Sequence, residues 1–251
     1  MSGHSKWSSI KHKKGREDAK RGKLFSKLSR VITVASREGG GDPEMNASLA
    51  TAVDKAKSYN MPADNIERAI KRGTGEIEGV TYEQMEYEGY GPDGVAVLVD
   101  VMTDNRNRAA AEMRRIFTKY NGKLGTSGSV AWMFDRKGVI LVPAAAGSED
   151  DILGVALEAG AEDMSAEGDS FEIKTEPTEL DQVKKGLDGQ GLIFSSAELV
   201  MLPKSTQALN KQEATRVLRF IEALEECEDV QEVYSNFDIP DEIMEEVAAE
   251  S

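Results

Sequence analysis

Apolar residues recur with the spacing of a helix in three successive segments near the start of the chain. The first segment begins at Glu17 and stops at the run Gly39-Gly-Gly41-Asp-Pro43. At about 100° per residue, its apolar residues share one face; they are Leu24, Phe25, Leu28, Val31, Ile32 and Ala35. A second helix is predicted at 46–59. A third is predicted at 62–72, where Pro62 suits the first turn and Gly73 the C-terminal stop.

After Gly73 the pattern changes to short segments that are typical of strands. Strands are predicted at 82–90, 95–102 and 130–134, and a helix at 105–120. Residues 138–203 have the order βαββαβ of a ferredoxin-like unit. A helix at 209–226 and a strand at 230–234 can complete the sheet that begins near residue 82. The chain is therefore predicted to be α+β, with a helical N-terminal domain followed by two α/β (ferredoxin-like) domains, one inserted in the other.

These elements divide the chain into five predicted parts. Residues 1–16 form a basic, extended arm, because Trp7 and Ile10 are its only large apolar groups beyond Met1. The three-helix domain covers 17–73, and a discontinuous middle domain covers 74–137 plus 204–240. The inserted domain covers 138–203. The acidic tail, 241–251, is expected to be frayed.

Positive charge is concentrated at one end of an acidic chain. The formal net charge is −14, yet residues 1–40 hold 11 Lys and Arg against 3 Asp and Glu. Residues 73–251 hold 15 Lys and Arg against 37 Asp and Glu. A cluster of cations gains affinity for phosphates by releasing condensed counterions, so this asymmetry predicts a nucleic-acid partner. The inserted domain, with a balance of −11, is not expected to face phosphates.

The candidate nucleic-acid-binding residues fall into three groups. In the arm, an aromatic ring that can stack on a base is interleaved with basic residues; the group is Lys6, Trp7, Lys11, His12, Lys13, Lys14 and Arg16. The polar side of the first helix adds Lys20, Arg21, Lys23, Lys27 and Arg30. The helix at 105–120 adds Arg106, Arg108, Arg114 and Arg115. Two of these arginines oppose the dipole at a helix start, which favours a partner over simple solvation. The alternatives are a solvated arm and ordinary surface ion pairs.

Catalytic, metal and cofactor sites are not expected. The two histidines, His4 and His12, lie in the arm without a scaffold, and Cys227 is the only cysteine, so no zinc pattern arises. The spacing Gly89-x-Gly91-x-x-Gly94 matches a dinucleotide fingerprint, but a strand rather than a helix is predicted to follow it. A hairpin loop explains it better. An enzyme that uses one of the histidines is the remaining alternative.

Location is predicted from the absence of two features. No apolar run approaches the length needed to span a bilayer. A single cysteine allows no intrachain disulfide. The chain is therefore expected to be cytoplasmic, without a membrane partner or a small-molecule substrate.

Several long segments resemble the YebC family. They include Gly3-His-Ser-Lys-Trp7-Ser-Ser-Ile-Lys-His-Lys-Lys14, Met61-Pro-Ala-Asp-Asn-Ile-Glu-Arg-Ala-Ile70, Tyr87-Glu-Gly-Tyr-Gly-Pro92, Asp104-Asn-Arg-Asn-Arg108 and Gly128-Ser-Val-Ala-Trp-Met-Phe134. The resemblance implies three domains, one inserted in another, and no enzyme activity. It also implies regulation of gene expression, since the family is usually labelled as DNA-binding transcriptional regulators. Related proteins include a mitochondrial translational activator and bacterial proteins tied to ribosomes stalled at proline runs.

Two functional hypotheses follow. In the first, the arm and first helix bind DNA and regulate transcription, which is the conventional assignment. In the second, the arm enters ribosomal RNA and the protein relieves stalled translation. The absence of a recognisable helix-turn-helix pattern and the acidity of the rest of the chain favour RNA, because a long exposed duplex would repel an acidic body. The family label favours DNA.

Overall fold

The structure is a computed structural model, and it describes residues 17–250. In chain order its helices are α1 (Glu17–Gly39), α2 (Ala47–Ser58), α3 (Ala63–Thr74), α4 (Arg106–Lys119), α5 (Glu149–Glu158), α6 (Leu180–Gly189), α7 (Lys211–Glu225) and α8 (Asp241–Glu250). Its strands are β1 (Glu83–Tyr90), β2 (Ala96–Thr103), β3 (Lys123–Leu124), β4 (Phe134–Pro143), β5 (Asp163–Glu167), β6 (Ser170–Thr175), β7 (Ser196–Pro203), β8 (Gln207–Ala208), β9 (Val230–Ser235) and β10 (Phe237–Asp238). The predicted α+β class is confirmed.

The first three helices pack around their own apolar core. Asn46 caps α2 by accepting the Leu49 N–H, and its amide donates to two carbonyls at the end of α1, which fixes the turn between the helices. The predicted stop of α3 at Gly73 is wrong by two residues. Gly73 lies inside the helix, where its missing side chain lets α3 approach Thr33 of α1, and the left-handed cap is Gly75 at φ 82°.

The middle sheet has the order β3-β1-β2-β9. β1 and β2 form an antiparallel hairpin around the short turn Pro92–Gly94, so the glycine motif is a hairpin loop. β9, far along the chain, pairs antiparallel with β2 and completes the sheet as predicted. Helices α4 and α7 contribute to the core of this sheet.

The inserted unit has the predicted βαββαβ order and the sheet order β5-β6-β4-β7, which is ferredoxin-like. The strand predicted at 130–134 is wrong. Residues Ala131–Met133 form a short 3-10 turn, because the N–H groups of Val130 and Ala131 donate to the Glu88 carboxylate and not to a neighbouring strand. β4 begins at Phe134 and continues past residue 138, so the predicted division at 137/138 falls within one strand.

The acidic tail is also different from the prediction. Residues Asp241–Glu250 form helix α8, in which Met244 and Val247 are buried in the core shared with α7. Lys211 at the start of α7 lies 2.9 Å from Glu246, so an ion pair supports the contact. The apolar pair at i, i+3 decides the outcome, since it gives the helix a face to bury. Within residues 17–250, no helix has both the length and the apolar character of a membrane span.

Candidate nucleic-acid interface

The arm candidates lie outside the described residues. They are Lys6, Trp7, Lys11, His12, Lys13, Lys14 and Arg16; the histidine of the alternative enzyme hypothesis, His4, also lies there. Lys20 lies in the first turn of α1, directly after the arm. The candidate residues that the structure describes therefore lie on α1 and α4.

The basic residues of α1 and α4 meet at a cleft. The cleft has a volume of about 240 Å³ and lies between the first half of α1, the second half of α4 and the end of α7. Lys23 reaches it from α1, and Arg115 and Lys119 reach it from α4. Its remaining lining residues are Glu112, Ile116, Tyr120, Ala223, Glu226 and Cys227. Two groups that lie some 90 positions apart in the sequence thus share one surface, which we call the basic cleft.

The three cations of the basic cleft, Lys23, Arg115 and Lys119, differ in the side chains that they contact. Arg115 donates to both carboxylate oxygens of Glu112 one turn earlier, and these bonds lower the pKa of that carboxyl. The Lys119 ammonium lies 5.2 Å from the centre of the Tyr120 ring. Lys23 is exposed and has no ion-pair partner among residues 21–240. A phosphate can therefore approach Lys23 and Lys119 without displacing a carboxylate.

Cys227 lines the cleft as a partly buried thiol. Burial raises its pKa, so the group stays a neutral thiol near neutral pH. A neutral thiol is a poor nucleophile. Within the described part of the chain, no group of three His, Cys, Asp or Glu residues is placed to hold a metal ion.

Arg30 does not lie on the exposed stripe that the helical pattern predicts. Its side chain is buried and donates to the Glu228 and Met102 carbonyls and to the Asp229 carboxylate, on the middle domain. The Arg30 guanidinium also lies 5.5 Å from the Tyr82 ring centre. The helical pattern was misleading because it places a residue relative to its own helix, whereas the middle domain covers this side of α1. Lys27 likewise donates to the Glu225 carbonyl, at 3.0 Å.

The arginines of α4 also differ in whether they are held by carboxylates of the protein or are exposed. Arg108 donates to Asp104 and to the buried Asp229, and these hydrogen bonds raise its pKa further above an already high value. Arg106 lies 3.5 Å from Glu83 but is largely exposed, and Arg114 is exposed. Arg21 on α1 is exposed as well. The exposed candidates are therefore Arg21 and Lys23 on α1 and Arg106, Arg114 and Arg115 on α4, of which Lys23 and Arg115 line the cleft.

A second electrostatic cluster joins three parts of the fold. Lys55 of α2 lies 3.1 Å from Glu198 of β7 and 3.3 Å from Glu232 of β9. Burial alone lowers the pKa of Lys55, but these two carboxylates outweigh it and raise the pKa.

Across the middle sheet, Glu86, Asp100 and Glu232 occupy directly paired positions on three strands. Burial, Glu86 and Glu232 raise the pKa of Asp100 to about 6.

Sequence comparison identifies the family. The family model described as the TACO1/YebC protein N-terminal domain matches residues 5–76, and the model of the TACO1/YebC second and third domain matches residues 82–237. The chain belongs to the TACO1/YebC family. The two matches together run from the arm to the end of the middle sheet.

Individual relatives agree with this assignment over their full length. A protein of Rubrobacter xylanophilus is 61% identical over 249 residues, which cover 99% of this chain and 100% of the relative. One of Halothermothrix orenii is 58% identical over 253 residues, covering 100% of both. Each is called a probable transcriptional regulatory protein. A crystal structure of a conserved hypothetical protein from Aquifex aeolicus is similar at a TM-score of 0.83 and 50% identity, covering 92% of this chain and 96% of that one.

Proposed function

We propose that this protein is a non-enzymatic regulator of gene expression that binds nucleic acid through the basic cleft and the arm preceding it. The observation that carries the proposal is the meeting of Lys23 with Arg115 and Lys119 at one cleft. Lysines that are free to contact phosphates supply the sequence-independent part of such binding. The regulatory role agrees with the name shared by the relatives.

DNA is the conventional target, since the relatives are called probable transcriptional regulatory proteins. Ribosomal RNA is the second candidate, and the charge distribution favours it. Residues 73–251 carry 22 more acidic than basic residues, so most of the surface repels a long duplex. A basic arm next to a basic cleft can still enter a crevice of folded RNA, where a translation factor that relieves stalling would act.

Ultraviolet crosslinking in living cells, followed by nuclease treatment of the purified adduct, tests the proposal and separates the two targets. DNase-sensitive adducts enriched at promoters would support transcriptional regulation. RNase-sensitive adducts that map to ribosomal RNA would support a translation factor. If the wild-type protein gives no nucleic-acid adduct above that of a variant with Lys23, Arg115 and Lys119 changed to Glu, the proposed function is wrong.

A further inference from the structure

The loop at 125–133 is folded around a buried carboxylate that the proposed function does not use. Glu88 of β1 is 4% exposed, and its carboxylate accepts the N–H groups of Gly128, Val130 and Ala131 at 2.5, 2.7 and 2.7 Å. Its backbone carbonyl accepts the Gly125 N–H at 2.7 Å. Burial alone raises the pKa of Glu88, but the backbone N–H groups outweigh it and lower the pKa, so the carboxylate stays charged.

Such an arrangement determines the shape of the loop. A desolvated carboxylate is unfavourable unless its oxygens are hydrogen-bonded, and here three backbone N–H groups of the loop supply the donors. Any other path of the loop would leave the Glu88 charge without these partners. The loop is therefore held in one conformation by charge-assisted hydrogen bonds.

This ordered loop presents an exposed tryptophan. Trp132 is 65% exposed, and its indole N–H donates to the Ser129 carbonyl at 3.2 Å. The Tyr90 hydroxyl, at the end of β1, donates to the same carbonyl at 3.3 Å. Both rings are thus anchored at their polar ends, and both residues are exposed. A fixed aromatic ring loses little conformational entropy on binding, so it is suited to contact a partner.

Positive charge lies beside the two rings. Lys123 of β3 is exposed and is paired in register with Tyr90. β3 follows α4 directly, so Lys123 comes shortly after Lys119 of the cleft in the chain. On the other side, the backbone N–H of Lys204 donates to the Met133 carbonyl, but its ammonium lies 3.2 Å from Asp135 and is therefore paired. Aromatic rings with a lysine beside them are the combination that binds an unpaired base together with its phosphate.

We propose that Trp132 and Tyr90 form a stacking platform for an unpaired base of a single-stranded nucleic acid, with Lys123 contacting its phosphate. This inference rests on the proposed function and adds to it a second contact, outside the basic cleft. It also specifies that the bound segment is single-stranded, because a base within a duplex presents no free face to the rings.

The chain has two tryptophans, so the variant Trp7→Phe leaves Trp132 as the only indole reporter. This variant is titrated with an oligouridylate of about 12 nucleotides. That length is within the range that single-strand-binding surfaces cover. The anisotropy of a labelled oligonucleotide reports total binding, and indole emission reports contact at Trp132. We expect quenching of the emission that follows the anisotropy curve. A double-stranded DNA of the same length serves as the comparison ligand.

Two substitutions in the same background separate stacking from apolar burial. Trp132→Leu should weaken oligouridylate binding about fivefold or more, the loss expected for one stacked base, whereas Trp132→Phe should retain most of the affinity. Since the side chain is exposed, neither variant should unfold. Absence of quenching in the Trp7→Phe protein, together with unchanged affinity of the leucine variant, would overturn the platform and leave the proposed function standing, as would binding of duplex only. Failure of the wild-type protein, with Trp7 in place, to bind either ligand would count against both.

Discussion

Arg30 and Asp229 form a buried ion pair although they lie 199 positions apart in the chain. Arg30 Nη1 is 3.2 Å from Asp229 Oδ1, and less than a tenth of either side chain is exposed. From the other side, Arg108 Nη2 lies 2.9 Å from Asp229 Oδ2. One carboxylate therefore joins α1 of the helical domain to α4 and the start of β9 in the middle domain, and thereby aligns the two basic walls of the cleft.

Replacing Arg30 should destabilise the protein and loosen the helical domain. In Arg30→Met, Asp229 loses one of its two cationic partners in a buried site, for which we expect a decrease of about 3 kcal/mol in the free energy of unfolding. Urea denaturation measures it. Arg114→Met, which removes an exposed arginine, is the matched control and should change stability by less than about 0.5 kcal/mol. Equal effects of the two variants would contradict the structural role of Arg30.

Two helical glycines should respond in opposite directions to alanine. A Cβ at Gly73 would clash with the Thr33 carbonyl oxygen, so Gly73→Ala should push α3 from α1 and cost about 1–3 kcal/mol. At Gly22 of α1, no atom lies within 4 Å of the position that an added Cβ would take, so Gly22→Ala should stabilise by about 0.5–1 kcal/mol through helix propensity. Thermal unfolding of both variants tests the pair, and stabilisation by Gly73→Ala would refute the close helix contact.

Asp100 should make the fold less stable as the pH rises. Its pKa is about 6 in the folded protein, against an ordinary value of 3.8, because it is buried beside Glu86 and Glu232. The folded state therefore holds the proton more tightly, and stability falls between about pH 4 and pH 6 and stays lower above. Asp100→Asn should be more stable than wild type by about 1–2 kcal/mol at pH 7.5, with little difference at pH 4.

Urea unfolding at several pH values measures this difference, with Asp54→Asn as the control, because Asp54 is a largely exposed carboxylate on α2. The control should show no comparable dependence on pH. If the free energy of unfolding of Asp100→Asn differed from that of wild type by the same amount at pH 4 and pH 7.5, the difference would come from a change in packing. It would then not come from the titration of Asp100.

Removal of a cleft lysine should reduce the salt dependence of nucleic-acid binding. On duplex DNA each phosphate contact contributes roughly −0.9 to the slope of log K against log salt, so Lys23→Met should make the slope shallower by about that amount. Lys57→Met removes an exposed lysine from α2, away from the cleft, and should leave the slope unchanged. Fluorescence anisotropy at a series of salt concentrations provides the slopes. Identical slopes for wild type and Lys23→Met would exclude Lys23 from the interface.

Local features were predictable because short-range physics decides them. Asn46 and Pro62 signal the starts of α2 and α3, and the structure has these helices at the expected positions. The βαββαβ order followed from strand and helix periodicity, and that order is the one of a ferredoxin-like unit. The two basic groups on α1 and α4 could likewise be recognised from charge.

Tertiary contacts decided which residues of those two basic groups are buried and which are exposed. Arg30 and Lys23 lie on one helix, yet the middle domain covers Arg30 and leaves Lys23 exposed, because Asp229 and the Glu228 carbonyl meet only the former. The turn at Ala131–Met133 and the packing of α8 were also set by distant partners: Glu88 and the core of α7. The sequence by itself determined the helices, strands and charge asymmetry, since each depends on neighbours along the chain. Which arginines are buried and which lysines share a cleft depends on packing between segments far apart in the chain, which only the tertiary structure decides.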